Sequence, residues 1–354
     1  MDAPSSGSPP RPGVALALGS GSARGLAHIG VVRVLREAGV PIRAVAGTSI
    51  GSVIGGLACA GSLDAYESLM RGLDRQGVLW FLDPVLPTAS FFGGRRTGKL
   101  METLLGERRI EQLGTEYCAV ATDLATGHEV RLRRGTVVEA IRASSAIPGV
   151  FAPIRIDQRW LTDGGAVSPV PIGAAKEFGY AHSIAVDLHA ASFPEPPSPE
   201  AQLAAAPGEA PPVEPVPPLE ELPQDQEAIE RAREFLHETV DRVGVAGRRA
   251  AERAAEFWYR LTGRPEDKPP GMAEIVGDTM AFAQLAISRL ALQCDPPDVL
   301  LKPRLPDIGL FDFHRAAEII AEGERVTREA LDAGAFEAMI HPPKEKKRWF
   351  RTGT

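Results

Sequence analysis

The chain has 354 residues, of which 44% are hydrophobic and 24% are charged, so it can bury one large core or two small ones. Its 39 basic and 46 acidic residues give a formal net charge of −7, which provides no general attraction for nucleic acid. Three cysteines, far apart and without metal-ligand spacing, argue against a disulfide framework or a zinc site. These bulk properties predict a globular protein without a nucleic-acid partner.

The N-terminus gives no sign of export. Residues 1–13 are polar, rich in Pro and Ser, and lack the basic start and apolar stretch of a secretory signal, so they predict a disordered tail. The longest uncharged run, residues 44–63, is rich in Gly, Ser and Thr, which makes poor material for a membrane span. We therefore expect a cytoplasmic protein that meets membranes only at their surface.

Strand-like and helix-like segments alternate through the first half of the chain. Val14–Leu18 precedes a helical pattern at Leu26–Ala38, and Ile42–Ala46 precedes a second one at Ile50–Ala60. This alternation predicts a mostly parallel sheet between layers of helices. Further strands are predicted at Tyr117–Ala121, Glu129–Arg133, Arg159–Thr162, Ile184–Leu188 and Val299–Lys302, and a closing helix at Phe313–Leu331.

The composition changes sharply after residue 190. Residues 191–226 hold eleven prolines and seven acidic residues but no Lys or Arg, which predicts a flexible, extended linker. Residues 227–264 carry apolar residues at helical spacing and predict a long, amphipathic helical insertion. The predicted organisation is a first domain at residues 14–190, the linker, the insertion, a part at residues 271–340 that completes the first domain, and a basic tail at residues 341–354.

The first chemical motif is Gly47-Thr48-Ser49-Ile50-Gly51, between a predicted strand and a predicted helix. In a nucleophile elbow, the flanking glycines permit a sharp turn that lifts a serine hydroxyl clear of the sheet. A glycine-rich chain can contain this pentapeptide by chance, so the motif is weak on its own. Its position between a strand and a helix favours Ser49 as a nucleophile, with Gly47 and Gly51 as the glycines of the elbow.

A glycine-rich turn follows the first predicted strand, at residues 19–25 (Gly-Ser-Gly-Ser-Ala-Arg-Gly). Such a turn offers free backbone N–H groups to a phosphate or to a developing oxyanion. It does not match a dinucleotide fingerprint, because Arg24 takes the place of the third glycine and no ribose-binding acid follows the second strand. We therefore expect no nucleotide cofactor, and a merely structural turn stays an alternative.

Asp163-Gly164-Gly165 follows the strand predicted at Arg159–Thr162. Asp-Gly is far more often a turn signal than a catalytic site, so this motif assigns no function by itself. It matters only because of the other motifs in the chain.

Together, four blocks resemble bacterial patatin-like phospholipases: Leu18–Gly30 (LGSGSARGLAHIG), Gly47–Gly51, Arg142–Phe151 (RASSAIPGVF) and Asp163–Gly165. Four blocks in the right order are much more specific than any one of them. The resemblance covers residues 14–190 and resumes weakly from Met272 to Leu331. It implies a three-layer α/β/α fold and a hydrolase that cleaves acyl esters of lipids, as a phospholipase A, a lysophospholipase or an acylglycerol esterase, without a metal or an organic cofactor.

The resemblance also implies a catalytic dyad, in which Ser49 is the nucleophile and Asp163 accepts its proton. It further implies an oxyanion hole in the glycine-rich turn, made by the backbone N–H groups of Gly21, Ser22 and Ala23, with Arg24 supporting the loop. The family usually has a run of glycines where this chain has Ser20 and Ser22. If either serine requires a positive φ, its side chain costs about 1 kcal/mol.

Two alternatives stay open at this point. An ordinary Ser–Asp–His hydrolase also uses Gly-x-Ser-x-Gly, and His314 is the best late histidine for such a triad. A protein of the same fold that binds lipid without turnover would keep these motifs, while its altered glycine loop no longer supports catalysis. A serine-hydrolase probe separates a working nucleophile from such a binding module.

Two basic segments predict peripheral contact with an anionic membrane surface. Residues 242–264 hold six arginines against two acids, with three adjacent aromatic residues among them, which suits an interfacial helix. Residues 344–351 hold five basic residues against one acid around Trp349 and Phe350. The alternative for both is a solvated face packed on the protein's own core.

Overall fold

The structure is a computed structural model, and it describes residues 9–82, 94–189 and 272–341. The linker and the helical insertion predicted between residues 191 and 264 lie outside these residues, as does nearly all of the basic tail. The two basic segments lie outside them as well, so membrane contact stays a prediction. Within the described ranges, no helix is both long enough and apolar enough to cross a membrane.

The described residues contain eight strands and ten α-helices, joined by loops and short 3-10 turns. The strands are β1 (Arg11–Leu18), β2 (Ile42–Thr48), β3 (Glu116–Asp123), β4 (Glu129–Leu132), β5 (Ile154–Ile156), β6 (Arg159–Asp163), β7 (Tyr180–Val186) and β8 (Val299–Leu301). The α-helices are α1 (Ala27–Glu37), α2 (Ile50–Cys59), α3 (Leu63–Arg71), α4 (Arg75–Leu82), α5 (Arg95–Leu105), α6 (Val137–Ser144), α7 (Ile172–Lys176), α8 (Met272–Cys294), α9 (Ala316–Asp332) and α10 (Glu337–Ile340).

All eight strands belong to one sheet, in the order β5-β6-β3-β2-β1-β7-β8, with β4 paired to β3. Strands β3, β2, β1, β7 and β8 run parallel to one another. The remaining pairings, β3 with β4, β3 with β6 and β5 with β6, are antiparallel. Helices pack on both faces, so the predicted fold class, a three-layer α/β/α fold with a mostly parallel sheet, is confirmed.

The two faces of the sheet differ in residue size. Successive strand residues point to opposite faces, so each central strand contributes to two separate cores. One face packs against α1, α2, α6 and α9 and holds the larger side chains, Val14, Leu16, Leu18, Val45, Tyr117, Ile184 and Val186. The other packs against α7 and holds mostly small ones, Ala15, Ala17, Ala44, Ala46, Cys118 and Ala185.

The described residues after residue 271 share this sheet. Strand β8 extends it beside β7, where Leu301 pairs with Val186. Helix α9 packs against α1, and the two approach closely at Gly323, where an added Cβ would lie 1.9 Å from the carbonyl oxygen of Ala27. One sheet therefore includes residues from both sides of the predicted insertion, while the exact domain boundaries stay predictions.

The first strand begins earlier than predicted. Strand β1 begins at Arg11 rather than Val14, because the Arg11 N–H donates to the Gly179 carbonyl at 2.8 Å and its guanidinium lies 4.3 Å from the centroid of the Tyr180 ring. Residues 11–13 of the predicted disordered tail therefore belong to the sheet, and residues 1–8 lie outside the described residues. Local propensity missed this extension, because Pro12 and Gly13 are poor strand formers and the partners of Arg11 are far away in the sequence.

The predicted closing helix is divided. Phe313–Arg315 forms a 3-10 turn, and α9 begins only at Ala316. Cys59, Cys118 and Cys294 are free thiols in the structure.

Candidate active site

Ser49 occupies the sharp turn between β2 and α2. Its φ of 56° and ψ of −125° lie in a sparsely populated region for a residue with a side chain. The turn requires glycine on both sides, because a Cβ on Gly47 would lie 2.4 Å from the Gly51 carbonyl oxygen and one on Gly51 would lie 2.1 Å from that of Leu18. The motif predicted as a nucleophile elbow therefore has the geometry of one.

Hydrogen bonds hold this strained backbone in place. The Ser49 N–H donates to the Ser144 hydroxyl at 3.0 Å, and that hydroxyl donates to the Val120 carbonyl at 2.5 Å. The Ser49 carbonyl accepts from the Ser52 hydroxyl at 2.6 Å. Ser144 was missed as a site residue by the sequence reasoning, although the block Arg142–Phe151 that contains it was noticed. Since β3 and α6 both contact the elbow, its conformation depends on tertiary packing as well as on its glycines.

The sheet register brings Asp163 next to Ser49, although the two are 114 residues apart. Thr48, just before Ser49, pairs with Val120 of β3, and the next β3 residue, Ala121, pairs with Asp163 at the end of β6. The Ser49 hydroxyl donates to Asp163 Oδ2 at 2.5 Å, and both residues are buried. The structure therefore brings together the two residues predicted as a dyad.

The other oxygen of Asp163 is also bonded. The Gly165 N–H donates to Oδ1 at 2.7 Å, at the start of the 3-10 turn Gly164–Ala166. This bond fixes the carboxyl plane, so that Oδ2 faces Ser49. It also gives the Asp163-Gly164-Gly165 motif a local role, because the turn supplies the donor that orients the acid.

Burial raises the pKa of the Asp163 carboxyl to about 6. The hydrogen bonds from Ser49 and Gly165 lower the pKa, and His189 acts in the same direction, but desolvation dominates. The carboxyl is therefore a stronger base than an exposed aspartate and is still ionised near neutral pH. His189 itself is held by Gln284 of α8, 2.9 Å from its Nε2.

The glycine-rich turn lies beside the elbow, because β1 and β2 are neighbours in the sheet. Gly21 has a φ of 154° and Ser22 a φ of 50°. Ser22 is thus in the left-handed region, and its departure from the usual glycine carries a real conformational cost. Ser20 does not have a positive φ.

The structure differs from the expected oxyanion hole at Ala23. The Ala23 N–H donates to the Leu310 carbonyl at 3.1 Å, so it is already occupied. The same carbonyl accepts from the Ser22 hydroxyl at 2.5 Å, and the Arg24 Nε donates to the Ile308 carbonyl at 2.8 Å. The N–H groups of Gly21 and Ser22 have no hydrogen bond to another described residue. One of the three predicted donors is therefore already hydrogen-bonded to a residue almost 290 positions later in the chain. Sequence reasoning had no means to detect this contact.

The buried side chain of His28 forms a hydrogen bond with the backbone at the start of this turn. Its Nε2 lies 2.8 Å from the Gly19 carbonyl oxygen, so Nε2 carries the proton and donates. Burial lowers the pKa of His28 to about 4, which keeps the ring neutral.

An apolar cavity of about 150 Å³ opens next to the Ser49–Asp163 pair, and Ser49 and Ser22 lie in its wall. Most of the other residues that line it are apolar, and they come from α2, α3, α5, α6, residues 147–154 and the segment before α9. They include Ile50, Val53, Met101, Ile141, Phe311 and Phe313. A hydrophobic chain fits such a wall better than a polar group does.

His314, the histidine of the alternative triad, has other partners. Its Nε2 accepts from Arg75 Nε at 3.3 Å, and its Nδ1 lies 3.9 Å from Asp312 Oδ1. The Ser49 hydroxyl donates to Asp163 instead.

The fold and the site together define a class: a three-layer α/β/α protein in which the serine of a nucleophile elbow bonds to a buried aspartate. The model of the patatin-like phospholipase family matches residues 16–176. An uncharacterized NTE family protein of Mycobacterium tuberculosis is 35% identical over 332 residues, which cover 91% of this chain and 92% of that protein. The chain belongs to the patatin-like phospholipase family, which confirms the resemblance seen in its sequence blocks.

Two further relatives match about half of the chain. A neuropathy target esterase of Drosophila melanogaster is 34% identical over 182 residues, 49% of this chain and 13% of that protein. A lysophospholipase of Emericella nidulans is 32% identical over 179 residues, 49% of this chain and 12% of that protein. The shared segment is a small part of these longer proteins.

Proposed function

We propose that this chain is a patatin-like serine hydrolase that cleaves acyl esters of lipids. The observation that carries the proposal is the hydrogen bond from Ser49 to Asp163 beside an apolar cavity. A serine hydroxyl is a weak nucleophile until a neighbouring base takes its proton, and a long acyl chain needs an apolar site. The names of the relatives, esterase and lysophospholipase, support this reaction class.

In the first half of the reaction, Asp163 takes the proton of Ser49 while Oγ attacks the ester carbonyl carbon. The negative charge that develops on the carbonyl oxygen is held by the N–H groups of Gly21 and Ser22, the two donors that are not already bonded. The tetrahedral adduct collapses and breaks the bond to the alcohol, which leaves with the proton from Asp163. The acyl group is then joined to Ser49 as an ester.

In the second half, water replaces the alcohol. Asp163 takes a proton from the water as its oxygen attacks the acyl carbon, and collapse returns that proton to Ser49 Oγ. The products are a free fatty acid and the regenerated hydroxyl. A single carboxyl with a pKa near 6 serves both halves, because it exists as carboxylate at neutral pH and its protonated form is readily reached.

A fluorophosphonate probe tests the proposal directly. We expect the folded protein to be labelled covalently at Ser49 and the Ser49→Ala variant to remain unlabelled. Labelled protein should also lose its hydrolysis of a soluble acyl ester in proportion to the label. A folded protein that binds fatty acid but takes up no label would instead favour the binding module, and labelling elsewhere would refute Ser49 as the nucleophile.

The Ser–Asp–His alternative receives less support. The contacts of His314 are with Arg75 and Asp312, and family membership favours the dyad.

A further inference from the structure

Gly165, which orients Asp163, is covered by a side chain from helix α8. The Gly165 N–H donates to Asp163 Oδ1 at 2.7 Å. A Cβ on Gly165 would lie 2.9 Å from that oxygen and 2.8 Å from Nε2 of Gln284. Glycine is therefore required here, because the carboxyl of Asp163 and the amide of Gln284 both pack against its backbone.

His189 holds the other end of this amide. Gln284 Oε1 accepts from His189 Nε2 at 2.9 Å. His189 follows β7 and is buried, and its own N–H donates to Oδ1 of the buried Asp187 at 2.8 Å. The Asp187 N–H donates to the Leu301 carbonyl of β8 at 3.0 Å, so the ring is attached to the parallel part of the sheet. The Gln284 side chain is thus fixed at its oxygen by His189, while its nitrogen lies against Gly165.

The carboxyl of Asp163 depends on its neighbours for its orientation. Rotation about the last bond of an aspartate side chain has broad energy wells, so hydrogen bonds set the plane of the carboxyl. Gly165 supplies one of these bonds to Oδ1, and Ser49 donates the other to Oδ2 at 2.5 Å. A shift of the three-residue turn Gly164–Ala166 moves the donor to Oδ1 and therefore turns Oδ2 away from Ser49.

Electrostatics connect the same residues to this carboxyl. Burial raises the pKa of Asp163, and the hydrogen bond from Ser49 opposes that rise. The hydrogen bond from Gly165 and the nearby ring of His189 lower the pKa as well. The other carboxyl beside His189 is that of Asp187, whose Oδ1 lies 3.7 Å from His189 Nδ1. Displacement of Gly165 or His189 therefore changes the basicity of Asp163, which a pH profile measures.

We propose that Gln284 is a positioning residue of this hydrolase, which keeps Gly165 in the place from which it orients Asp163. His189 in turn keeps the Gln284 amide over the glycine. This inference rests on the proposed hydrolase function. Gln284 is not part of the described cavity wall, so it acts on the reaction through Asp163 and not by contact with the ester. Gln284 and His189 also lie outside residues 16–176, the part of the chain that the family model matches.

The test measures hydrolysis of a soluble acyl ester by variants of the full chain. We expect Gln284→Ala to lower kcat by about 10- to 100-fold, as for a misplaced catalytic group, while KM stays within about twofold of the wild type. The pH midpoint of kcat/KM should rise, because a weakened Gly165 hydrogen bond opposes the effect of burial less. Gln284→Met should lose less kcat, because it keeps a side chain over Gly165 and gives up only the bond to His189. A matched control is Gln293→Ala, which removes an exposed amide from the same helix and should leave kcat and the midpoint unchanged.

The outcomes separate the inference from the function on which it rests. If Gln284→Ala keeps the wild-type kcat, raises KM instead, or does not raise the midpoint, the residue does not position Asp163 and the inference is wrong, while the hydrolase stands. Equal losses of kcat in Gln284→Ala and Gln284→Met, or in Gln284→Ala and Gln293→Ala, overturn it as well. If thermal melts show that the alanine variant does not fold, the loss of kcat and the rise of the midpoint are read from Gln284→Met. If the wild type does not hydrolyse the ester, or Ser49→Ala is as active as the wild type, the proposed function fails and the inference fails with it.

Discussion

Two serines in neighbouring strand-to-helix turns share a positive φ but have opposite surroundings. Ser49 follows β2 with a φ of 56°, and Ser22 lies after β1 with a φ of 50°. The hydroxyl of Ser49 donates to a buried carboxyl at 2.5 Å, whereas that of Ser22 donates to the backbone carbonyl of Leu310 at the same distance. One hydroxyl therefore lies next to a base, and the other is tied to a neutral acceptor.

This comparison shows why position in the turn does not by itself make a serine a nucleophile. Leu310 cannot accept a proton at neutral pH, so Ser22 stays a neutral hydroxyl, and its use in the proposed reaction is its N–H group. Asp163 can accept a proton, and the partner of the hydroxyl therefore decides its chemistry. Positive φ at both sites is a conformational cost of about 1–3 kcal/mol each, which the surrounding packing must offset.

The largest effect that the comparison predicts is the loss of hydrolysis when the Ser49–Asp163 pair is broken. Ser49→Ala and Asp163→Asn should each lower kcat for a soluble ester by about 1,000-fold or more, because members of a catalytic unit fail nearly as a whole. Circular dichroism and thermal melts should show folded variants. His314→Ala is the control and should retain most of the activity.

The opposite pattern would decide for the triad. An inactive His314→Ala together with an active Asp163→Asn contradicts the dyad.

The pH dependence of hydrolysis should follow the carboxyl of Asp163. Since the base works as a carboxylate and its pKa is about 6, kcat/KM should fall about tenfold per pH unit below pH 6 and level off above it. A neutral ester keeps the substrate's own titration out of the profile. His314→Ala should leave the midpoint in place; a midpoint near 4, the range of an exposed carboxyl, would contradict burial as the cause.

The sequence predicted that Ser49 and Asp163 belong together, but only part of what holds them in place. Both residues were singled out because each lies in a short motif with local turn chemistry, and those motifs occur in a specific order. The alternation of strands and helices also predicted the mostly parallel sheet between helical layers. What brings the pair together is the β2–β3–β6 register, a set of long-range pairings that no local pattern encodes.

The glycine-rich turn at residues 19–25 shows where sequence reasoning stops. Its glycines predicted free N–H groups, and the family resemblance assigned three of them. The Leu310 carbonyl, almost 290 residues away, occupies the donor of Ala23, and that contact depends on how the segment before α9 packs on the turn. Helices α3, α5 and α6, which contribute to the cavity wall, were not predicted either. In a folded protein, packing of an amphipathic face stabilises such helices more than propensity does.

Replacing the buried Asp163 should make the protein more stable at neutral pH. Asp163 has a folded pKa of about 6, above the usual value of 3.8, so the native state binds more protons than the unfolded state between these values. Stability is therefore lost as pH rises from about 4 to 6, and it stays lost above that. Asp163→Asn removes this loss and should raise the free energy of unfolding by about 1–2 kcal/mol at pH 8.

Melts of both proteins at pH 4 and pH 8 check this expectation. The variant's advantage should appear at pH 8 and shrink at pH 4, where the wild-type carboxyl is largely protonated. An equal difference at both pH values would mean that the substitution acts through packing or hydrogen bonding and not through the buried charge.

The smallest effect concerns Ser22 and separates its backbone cost from its hydroxyl contact. Ser22→Gly relieves a positive φ worth about 1 kcal/mol but loses the hydrogen bond to Leu310, also worth about 1 kcal/mol, so its stability should stay within about 1 kcal/mol of the wild type. Ser22→Ala loses the same hydrogen bond and keeps the strain, so it should be about 1 kcal/mol less stable than Ser22→Gly. Denaturant unfolding of the three proteins measures both differences.

Equal stability of the two variants would show that the turn holds a side chain at this φ without cost. Loss of hydrolysis in Ser22→Gly as complete as in Ser49→Ala would show that the Ser22 hydroxyl takes part in the reaction and that the two serines are less different than their partners suggest.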